Sequence, residues 1–282
     1  MRDRVIRAED VELATEAFGD RQHPSLLLIM GAMASMLWWP EEFCRRLAGY
    51  GRYVIRYDNR DTGLSTKYPP GESHYTIEDM ADDALRVLDG YSIATAHFVG
   101  MSLGAMIGQI AAISHPMRVA SLTAISSSPI GTEQTNLPAF SAKCAQHMAA
   151  GEHVDWSNRS QVIAYMIEDA QVLAGTGRQV DAAQVQAFVE RDYDRAEGYE
   201  HALNHGALKI TDAWRGRLQE VKAPLLVIHG TADPIYPVEH GVALSQGVKG
   251  ATLVQLGGGG HELHPADWDT IIKAIVTHTN AA

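Results

Sequence analysis

The segment that most restricts the fold of this chain is residues 100–104, which read Gly-Met-Ser-Leu-Gly. An apolar stretch at 96–99 runs directly into it, and a run of small and apolar residues that predicts a helix follows at 102–114. Such a serine is typical of a nucleophile elbow, a strand-to-helix turn so tight that the positions two before and two after the serine must be small. The five-residue pattern alone is common by chance and could be a glycine-rich turn with an inert serine. The flanking strand and helix are therefore what favour Ser102 as a nucleophile.

Strand and helix patterns alternate on both sides of that turn. Short alternating or apolar runs predict strands at 4–18 (two strands joined near residues 8–10), 25–30, 53–57, 96–99, 119–125, 225–229 and 252–256. Helical periodicity occurs at 40–51, 77–88, 102–114 and 268–277. Continuously apolar strands separated by helices predict an α/β fold, in which a mostly parallel sheet carries helices on both faces.

The alternation is interrupted between residues 128 and 217, where helical segments occur without a convincing strand. An interruption of this kind predicts a helical cap inserted into the sheet domain. We therefore expect a first part of the core at 1–129, a helical cap at 130–216 and a second part of the core at 217–282.

Charge and composition exclude several classes of partner. The chain has 282 residues and a formal net charge of −11, without a cluster of Lys and Arg, so neither nucleic acid nor an anionic membrane is an expected partner. The longest uncharged run, 24–40, is too short and too mixed for a membrane span, and the charged first residues do not read as a secretory signal. Cys44 and Cys144 show no metal-binding spacing and read as free thiols of a reducing compartment. We expect a cytoplasmic protein, and the oligomeric state stays open.

A serine nucleophile needs a histidine that takes its proton and a carboxylate that orients the imidazole. Apolar residues 225–228 lead into a loop that contains Asp233, and the strand pattern at 252–256 leads into four glycines and then His261. Each residue thus follows a late strand, in the order expected for such a triad. The other interpretation of Asp233 is an ordinary turn aspartate before proline.

Other acids and histidines fit these roles less well. His264 is the rival of His261, but Gly260 gives His261 a flexible approach to the serine. Asp58 and Asp61 come too early in the chain, and we expect them to brace their turn together with Arg60. Some hydrolases place the acid one strand earlier, after the strand that here ends at 125, but the loop at 126–129 contains no carboxylate.

Two backbone N–H groups are expected to hold the oxyanion that forms during acyl transfer. One belongs to Leu103, directly after the nucleophile, and the other to Ala32, in the loop after the strand at 25–30. Four larger side chains are predicted to line an apolar substrate pocket, although such residues are often ordinary core: Met33, Trp38, Met101 and Tyr236.

No cofactor or metal is expected. The pair His261 and His264 lacks the spacing of a zinc motif, and Pro265 follows at once. His201 and His205 are four residues apart, hence on one helix face, and could bind a metal or line a pocket. Because no third ligand is nearby, we expect instead that they lie on a partly exposed helix of the cap. No phosphate-binding loop or dinucleotide motif is present.

These residues together resemble the α/β-hydrolases of the esterase and proline-iminopeptidase type. The resemblance rests on Met30-Gly31, on 58–65 (Asp-Asn-Arg-Asp-Thr-Gly-Leu-Ser), on the elbow, on 229–233 (His-Gly-Thr-Ala-Asp) and on 259–261 (Gly-Gly-His). Within the family, the chain most resembles methylesterases of the aclacinomycin type, which tailor polyketides. The shared pattern is Met30-Gly31, Ser35, Trp39-Pro40, 56–58 (Arg-Tyr-Asp) and 60–63 (Arg-Asp-Thr-Gly). The resemblance implies a triad of Ser102, Asp233 and His261, with Ala32 and Leu103 as oxyanion donors. Met30 departs from relatives that have histidine before the glycine, and the cap shows no such resemblance.

The predicted function is therefore hydrolysis of a small-molecule carboxylic ester through an acyl-enzyme on Ser102. One alternative is an aminopeptidase or lactonase that uses the same triad. An aminopeptidase needs carboxylates in the cap for the free amine, and these are available: Glu168, Asp169, Glu190, Asp192 and Asp194. Another alternative is a non-catalytic hydrolase fold that binds a small ligand.

Overall fold

Eight strands form one sheet in a computed structural model that describes residues 4–8, 10–131, 137–208 and 212–282. Its order is β1-β2-β4-β3-β5-β6-β7-β8. Strand β2 pairs antiparallel with β1 and β4, and all other pairs are parallel, which confirms the predicted mostly parallel α/β sheet. The strands are β1 (Arg4–Ala8), β2 (Val11–Phe18), β3 (Ser25–Ile29), β4 (Tyr53–Tyr57), β5 (Ala96–Met101), β6 (Val119–Ile125), β7 (Leu225–Gly230) and β8 (Thr252–Leu256).

Helices cover both faces of the sheet because side chains alternate between the faces along each strand. In β3, Leu27 and Ile29 pack in one core cluster, whereas Leu26 and Leu28 pack in the other. The first cluster includes residues of α2 (Ile77–Gly90), α3 (Leu103–Ser114) and α7 (Val238–Gly247), and the second includes residues of α1 (Glu41–Gly49) and α8 (Trp268–Ala281).

The sequence patterns located most of these elements. Helix α2 begins where its pattern begins, because the Thr76 hydroxyl accepts from the Asp79 N–H while the Asp79 carboxylate accepts from the Thr76 N–H. Strand β5 runs two residues further than predicted. Helix α7 was not predicted, because glycines at 241 and 247 interrupt its apolar pattern.

A helical insert lies between β6 and β7. Its longer elements are α4 (Ala142–Gly151), α5 (Arg159–Leu173), α6 (Ala182–Ala196) and a 3-10 helix at Tyr199–Ala207, and its described residues contain no strand. The insert has an apolar cluster of its own, formed by Trp156, Val162, Ala196 and Tyr199. None of the helices within the described part of the chain combines the length and apolar character needed to cross a membrane.

The topology brings the predicted site residues to one edge of the sheet. Strands β3, β5, β7 and β8 are parallel, so their carboxyl ends share that edge. Ser102, Asp233 and His261 follow three of these strands, and Ala32 follows the fourth.

Candidate active site

Ser102 lies in a strained turn between β5 and α3. Its backbone has φ 52° and ψ −120°, a left-handed conformation that is unfavourable for any residue except glycine. The turn is closed so tightly that a Cβ atom at Gly100 would collide with the Gly104 carbonyl, and one at Gly104 would collide with the Ile29 carbonyl. The small residues of the elbow are thus required by close backbone approach.

The backbone of the elbow is fixed, while the serine hydroxyl is left for other uses. The Ser102 N–H donates to the Ile125 carbonyl over 2.9 Å, and the Ser127 hydroxyl donates to the Ser102 carbonyl over 2.8 Å. Although Ser102 occupies the cap position of α3, its side chain makes no capping hydrogen bond. The half-buried hydroxyl therefore stands at the positive end of the helix, where an N-terminus favours developing negative charge.

The predicted acid and base form a buried pair. His261 Nδ1 lies 2.9 Å from Oδ2 and 3.1 Å from Oδ1 of Asp233, so Nδ1–H donates to the carboxylate and Nε2 is left as the proton acceptor. The carboxylate also accepts from the N–H groups of Ile235 and Tyr236 over 2.9 and 2.8 Å. Burial raises the pKa of Asp233, but the charge and hydrogen bond of His261 outweigh that effect, and the pKa lies below its usual value.

Backbone contacts on two sides fix the loop before His261 and explain the glycine directly before it. The Ala232 N–H donates to the Gly259 carbonyl over 2.9 Å, which ties the aspartate loop to the histidine loop. The His261 N–H donates over 2.8 Å to the carbonyl of Leu173, the last residue of α5. A Cβ atom at Gly260 would collide with that same carbonyl. The helical insert thus touches the backbone that carries the imidazole.

His229 is a supporting residue whose role the sequence did not reveal. It is fully buried, and its Nε2–H donates to the Tyr236 carbonyl over 2.7 Å. Burial lowers the pKa of His229, so the ring is neutral near neutral pH. It stabilises the turn whose N–H groups hold the Asp233 carboxylate, and the Tyr236 ring in turn lies 5.7 Å from the His261 ring.

The loop after β3 lies directly beside the serine. A Cβ atom built at Gly31 would stand 3.2 Å from Ser102 Cβ. Ala32 is exposed, and the next residue, Met33, has a left-handed φ of 62°. The Met33 N–H donates to Nδ1 of His205 over 2.9 Å. The loop and the first turn of α3 therefore bring the backbones of Ala32 and Leu103, the predicted oxyanion donors, to the same corner of the site.

The turn after β4 corrects one expectation. Asp58 does brace the turn, since it accepts from the Leu64 N–H over 2.9 Å, and Asp61 accepts from the Tyr68 N–H over 2.6 Å. Arg60 was expected to assist these two aspartates, but this was wrong. Arg60 instead makes a bidentate pair with buried Asp83 of α2 at 2.5 and 2.9 Å. Arg60 pairs with Asp83 because both side chains are buried and a planar guanidinium can donate two parallel hydrogen bonds to a carboxylate.

The four predicted pocket residues have different surroundings. Met33 packs against the apolar cluster of the insert, and the Trp38 indole N–H donates to Asp192 Oδ2 over 2.9 Å. Met101 is almost fully buried among core residues, whereas Tyr236 is half-buried. Contact of any of them with substrate stays a prediction.

The five carboxylates considered for an amine site differ in burial and in their partners. Asp192 is buried against the loop after β3, and Glu190 and Asp194 lie near Arg159, at 3.7 and 2.7 Å. Glu168 is exposed. Asp169 is half-buried and lies 3.1 Å from His147 Nε2. Burial raises the pKa of Asp169, although the charges of His147 and His261 oppose this shift.

The other three histidines considered from the sequence, His201, His205 and His264, have structural partners. His264 Nε2–H donates to the Gln179 carbonyl, and His201 Nδ1–H donates to the Tyr68 carbonyl over 2.7 Å. The helix that carries His201 and His205 is partly exposed, as expected, but His205 itself is only 5% exposed. Its second nitrogen, Nε2, lies 2.7 Å from the Arg60 carbonyl.

Comparisons with known proteins agree with this architecture. A family model described as the alpha/beta hydrolase fold matches residues 24–266. The chain is 31% identical over 297 residues to a rhodomycin D methylesterase of Streptomyces peucetius, with 100% of this chain and 99% of that protein covered. It is 28% identical over 259 residues to 3-oxoadipate enol-lactonase 2 of Acinetobacter baylyi, with 88% and 86% covered. An esterase structure from Exiguobacterium antarcticum superimposes with a TM-score of 0.81 at 18% identity and covers 98% of each chain.

Proposed function

Because the chain belongs to the α/β-hydrolase family, we propose that it hydrolyses a carboxylic ester through an acyl-enzyme on Ser102. The observation that carries the proposal is that Ser102, Asp233 and His261 lie at the same edge of the sheet. There the strained turn of Ser102 follows β5, and the buried pair of Asp233 and His261 follows β7 and β8. A serine, an imidazole with a free Nε2 and an orienting carboxylate are the parts that acyl transfer needs.

The reaction follows from the roles of these groups. His261 Nε2 takes the hydroxyl proton while Ser102 Oγ forms a bond to the ester carbonyl carbon, and the carbonyl π electrons move to oxygen. The N–H groups of Ala32 and Leu103 stabilise that oxyanion. When the tetrahedral adduct collapses, His261 gives its proton to the leaving alcohol. Water, activated by the same Nε2, then releases the acid and frees Ser102.

A methyl ester of an apolar small molecule is the substrate class we propose. It is supported by the identity of 31%, over the full chain, to a protein named as a methylesterase. We propose that residues 130–216 act as the cap that selects the acyl part. The half-buried aromatic and sulfur side chains Met33, Trp38 and Tyr236 fit an apolar substrate, and we propose that Met101 also lines the pocket.

Two measurements test the proposal. Labelling with a fluorophosphonate probe should modify Ser102, and the variant Ser102→Ala should take no label. On a panel of methyl esters, lactones and aminoacyl arylamides, the wild-type chain should turn over the esters best, and Ser102→Ala should lose several orders of magnitude in kcat. An unlabelled, folded wild-type chain would instead point to a ligand-binding module.

Lactone hydrolysis is the second candidate, because the chain is also 28% identical to an enol-lactonase and a lactone is a cyclic ester open to the same triad. The aminopeptidase alternative has weaker support. Of the carboxylates considered for the amine, Asp192 is buried, Glu190 and Asp194 lie near Arg159, and Asp169 has His147 as a partner at 3.1 Å.

A further inference from the structure

His205 joins three parts of the molecule through its two ring nitrogens. It belongs to the 3-10 helix of the insert, and its Nδ1 accepts from the Met33 N–H over 2.9 Å. Its Nε2 lies 2.7 Å from the Arg60 carbonyl, which can only accept, so Nε2 carries the proton. Both bonds together require one tautomer of a neutral imidazole.

The surroundings keep that imidazole neutral. His205 is buried, and burial lowers its pKa although the Arg60 carbonyl and the charge of Asp61 oppose this shift. A protonated ring would have a hydrogen on both nitrogens, and Nδ1 could then no longer accept from Met33. A neutral ring keeps the link to Met33 intact near neutral pH.

The link acts on the residue that follows the predicted oxyanion donor. Met33 has a left-handed φ of 62°, which costs free energy and persists only where neighbouring contacts hold it. The hydrogen bond to His205 fixes the peptide between Ala32 and Met33. The N–H of Ala32 belongs to the preceding peptide, and Gly31 on its other side lies against Ser102.

A neighbouring residue holds the helix of His205 in place. The Asn204 side chain donates to Asp61 Oδ2 over 3.0 Å and accepts from the Gly71 N–H over 2.8 Å. These bonds attach the 3-10 helix to the turn after β4, so His205 approaches Met33 from a fixed position.

We propose that His205 is a positioning residue of the reaction, which aims the Ala32 N–H at the developing oxyanion through its hydrogen bond to Met33. His205 itself touches neither the ester nor Ser102. The proposal rests on the acyl-enzyme function of Ser102 and assigns to the insert a part in catalysis besides substrate selection. The cost of losing an oxyanion donor, on the order of 10²–10³ in rate, sets the upper limit of its effect.

Two substitutions of His205 distinguish the effect of its hydrogen bond to Met33 from the effect of filling the same space. The amide of Asn places its oxygen near the position of Nδ1, whereas the amide of Gln places its nitrogen near Nε2. His205→Asn should keep the acceptor for Met33 and retain kcat on p-nitrophenyl butyrate within about threefold. His205→Gln keeps only the donor to Arg60 and should lower kcat about ten- to a hundredfold, with KM within about twofold.

His201→Asn is the matched control. His201 lies one turn earlier in the same helix and donates to the Tyr68 carbonyl, away from the loop of Ala32. Its variant should retain wild-type kcat within about twofold. The Met33 amide proton gives a second readout in 1H–15N spectra, and its hydrogen-bonded shift should persist in His205→Asn and disappear in His205→Gln.

The proposal is overturned if the Asn and Gln variants lose the same activity, if neither loses any, or if the Gln variant is the more active. If His205→Gln does not fold, His205→Asn still decides. A folded Asn variant with its Met33 shift intact must keep its kcat. Failure of the acyl-enzyme function would be seen differently, as a wild-type chain that neither hydrolyses the ester nor labels at Ser102.

Discussion

His261 Nδ1 and Asp233 Oδ2 lie 2.9 Å apart in a buried pair, although the two residues are separated by 28 positions along the chain. The two N–H groups that also bind the carboxylate leave it no freedom to turn away from the ring. This relationship fixes which imidazole nitrogen carries the proton, and the first prediction depends on it.

Replacing Asp233 with Asn should abolish most activity without unfolding the protein. The amide can donate to Nδ1 and thereby stabilise the tautomer in which Nε2 carries the proton, so Nε2 can no longer act as a base. We expect kcat to fall on the order of 10⁴, as when the orienting carboxylate of a serine protease is replaced. Steady-state kinetics on a methyl ester, with circular dichroism as the folding control, measures this. A folded variant that keeps a tenth of its kcat would contradict the assigned role.

Replacing Gly260 with Ala should impair both stability and turnover. The new Cβ atom would collide with the Leu173 carbonyl, which accepts from the His261 N–H, so either α5 or the histidine loop must move. The matched control is Gly257→Ala, because a Cβ atom there has no neighbour within 4 Å. We expect a lower Tm and at least about a tenfold lower kcat for the first variant and near-wild-type values for the second. Equal behaviour of the two would exclude the contact as the cause.

His97 should make the protein less stable in acid. Burial, aided by the charge of Arg52, lowers the pKa of His97 to about 4, from a usual value of 6.5. The unfolded chain therefore binds a proton at this position that the folded chain does not, and the free energy of unfolding should decline as pH falls from about 6.5 to about 4. His97→Asn keeps a polar partner for Ser121, which lies 2.8 Å from Nδ1, without a titrating group. The free energy of unfolding, measured by urea titration at several pH values, should decline less steeply toward low pH for the variant than for the wild type. An identical pH dependence of the two would refute the prediction.

Both cysteines should be unreactive in the folded protein. Burial raises the pKa of Cys44 to about 12, and it also raises the pKa of Cys144. A thiol reagent reacts with the thiolate, which neither residue forms near neutral pH. We expect no thiol titrated by 5,5′-dithiobis(2-nitrobenzoic acid) in buffer and two in guanidinium chloride. Rapid labelling of the native protein would mean that the helices over these thiols open.

The sequence patterns revealed the elements that obey local rules. Ser102, Asp233 and His261 could be proposed because each directly follows a strand and each has a residue type that its role demands. Strands and amphipathic helices were found because their periodicity is a property of neighbouring residues. The same reasoning missed α7, where glycines replace apolar positions that a helix pattern needs.

Contacts between distant segments were not available to that reasoning. His205 binds Met33 across 172 positions, and no local pattern shows that its ring is buried rather than half-exposed. Arg60 was assigned to the nearest acids, but its partner Asp83 is 23 positions away, on helix α2. Long-range polar pairs depend on how elements pack, which single-residue patterns do not contain.

The hydrogen bond from the His261 N–H to the Leu173 carbonyl has a consequence for how such enzymes diversify. If His261 is the general base, as we propose, an insert that holds its backbone is not expected to be exchangeable between homologues as an independent specificity module. A chimaera that imports another insert has to reproduce the end of α5 as well, or it will alter rate together with selectivity. Evolution of new substrates should then proceed through side-chain changes within the insert more readily than through its replacement.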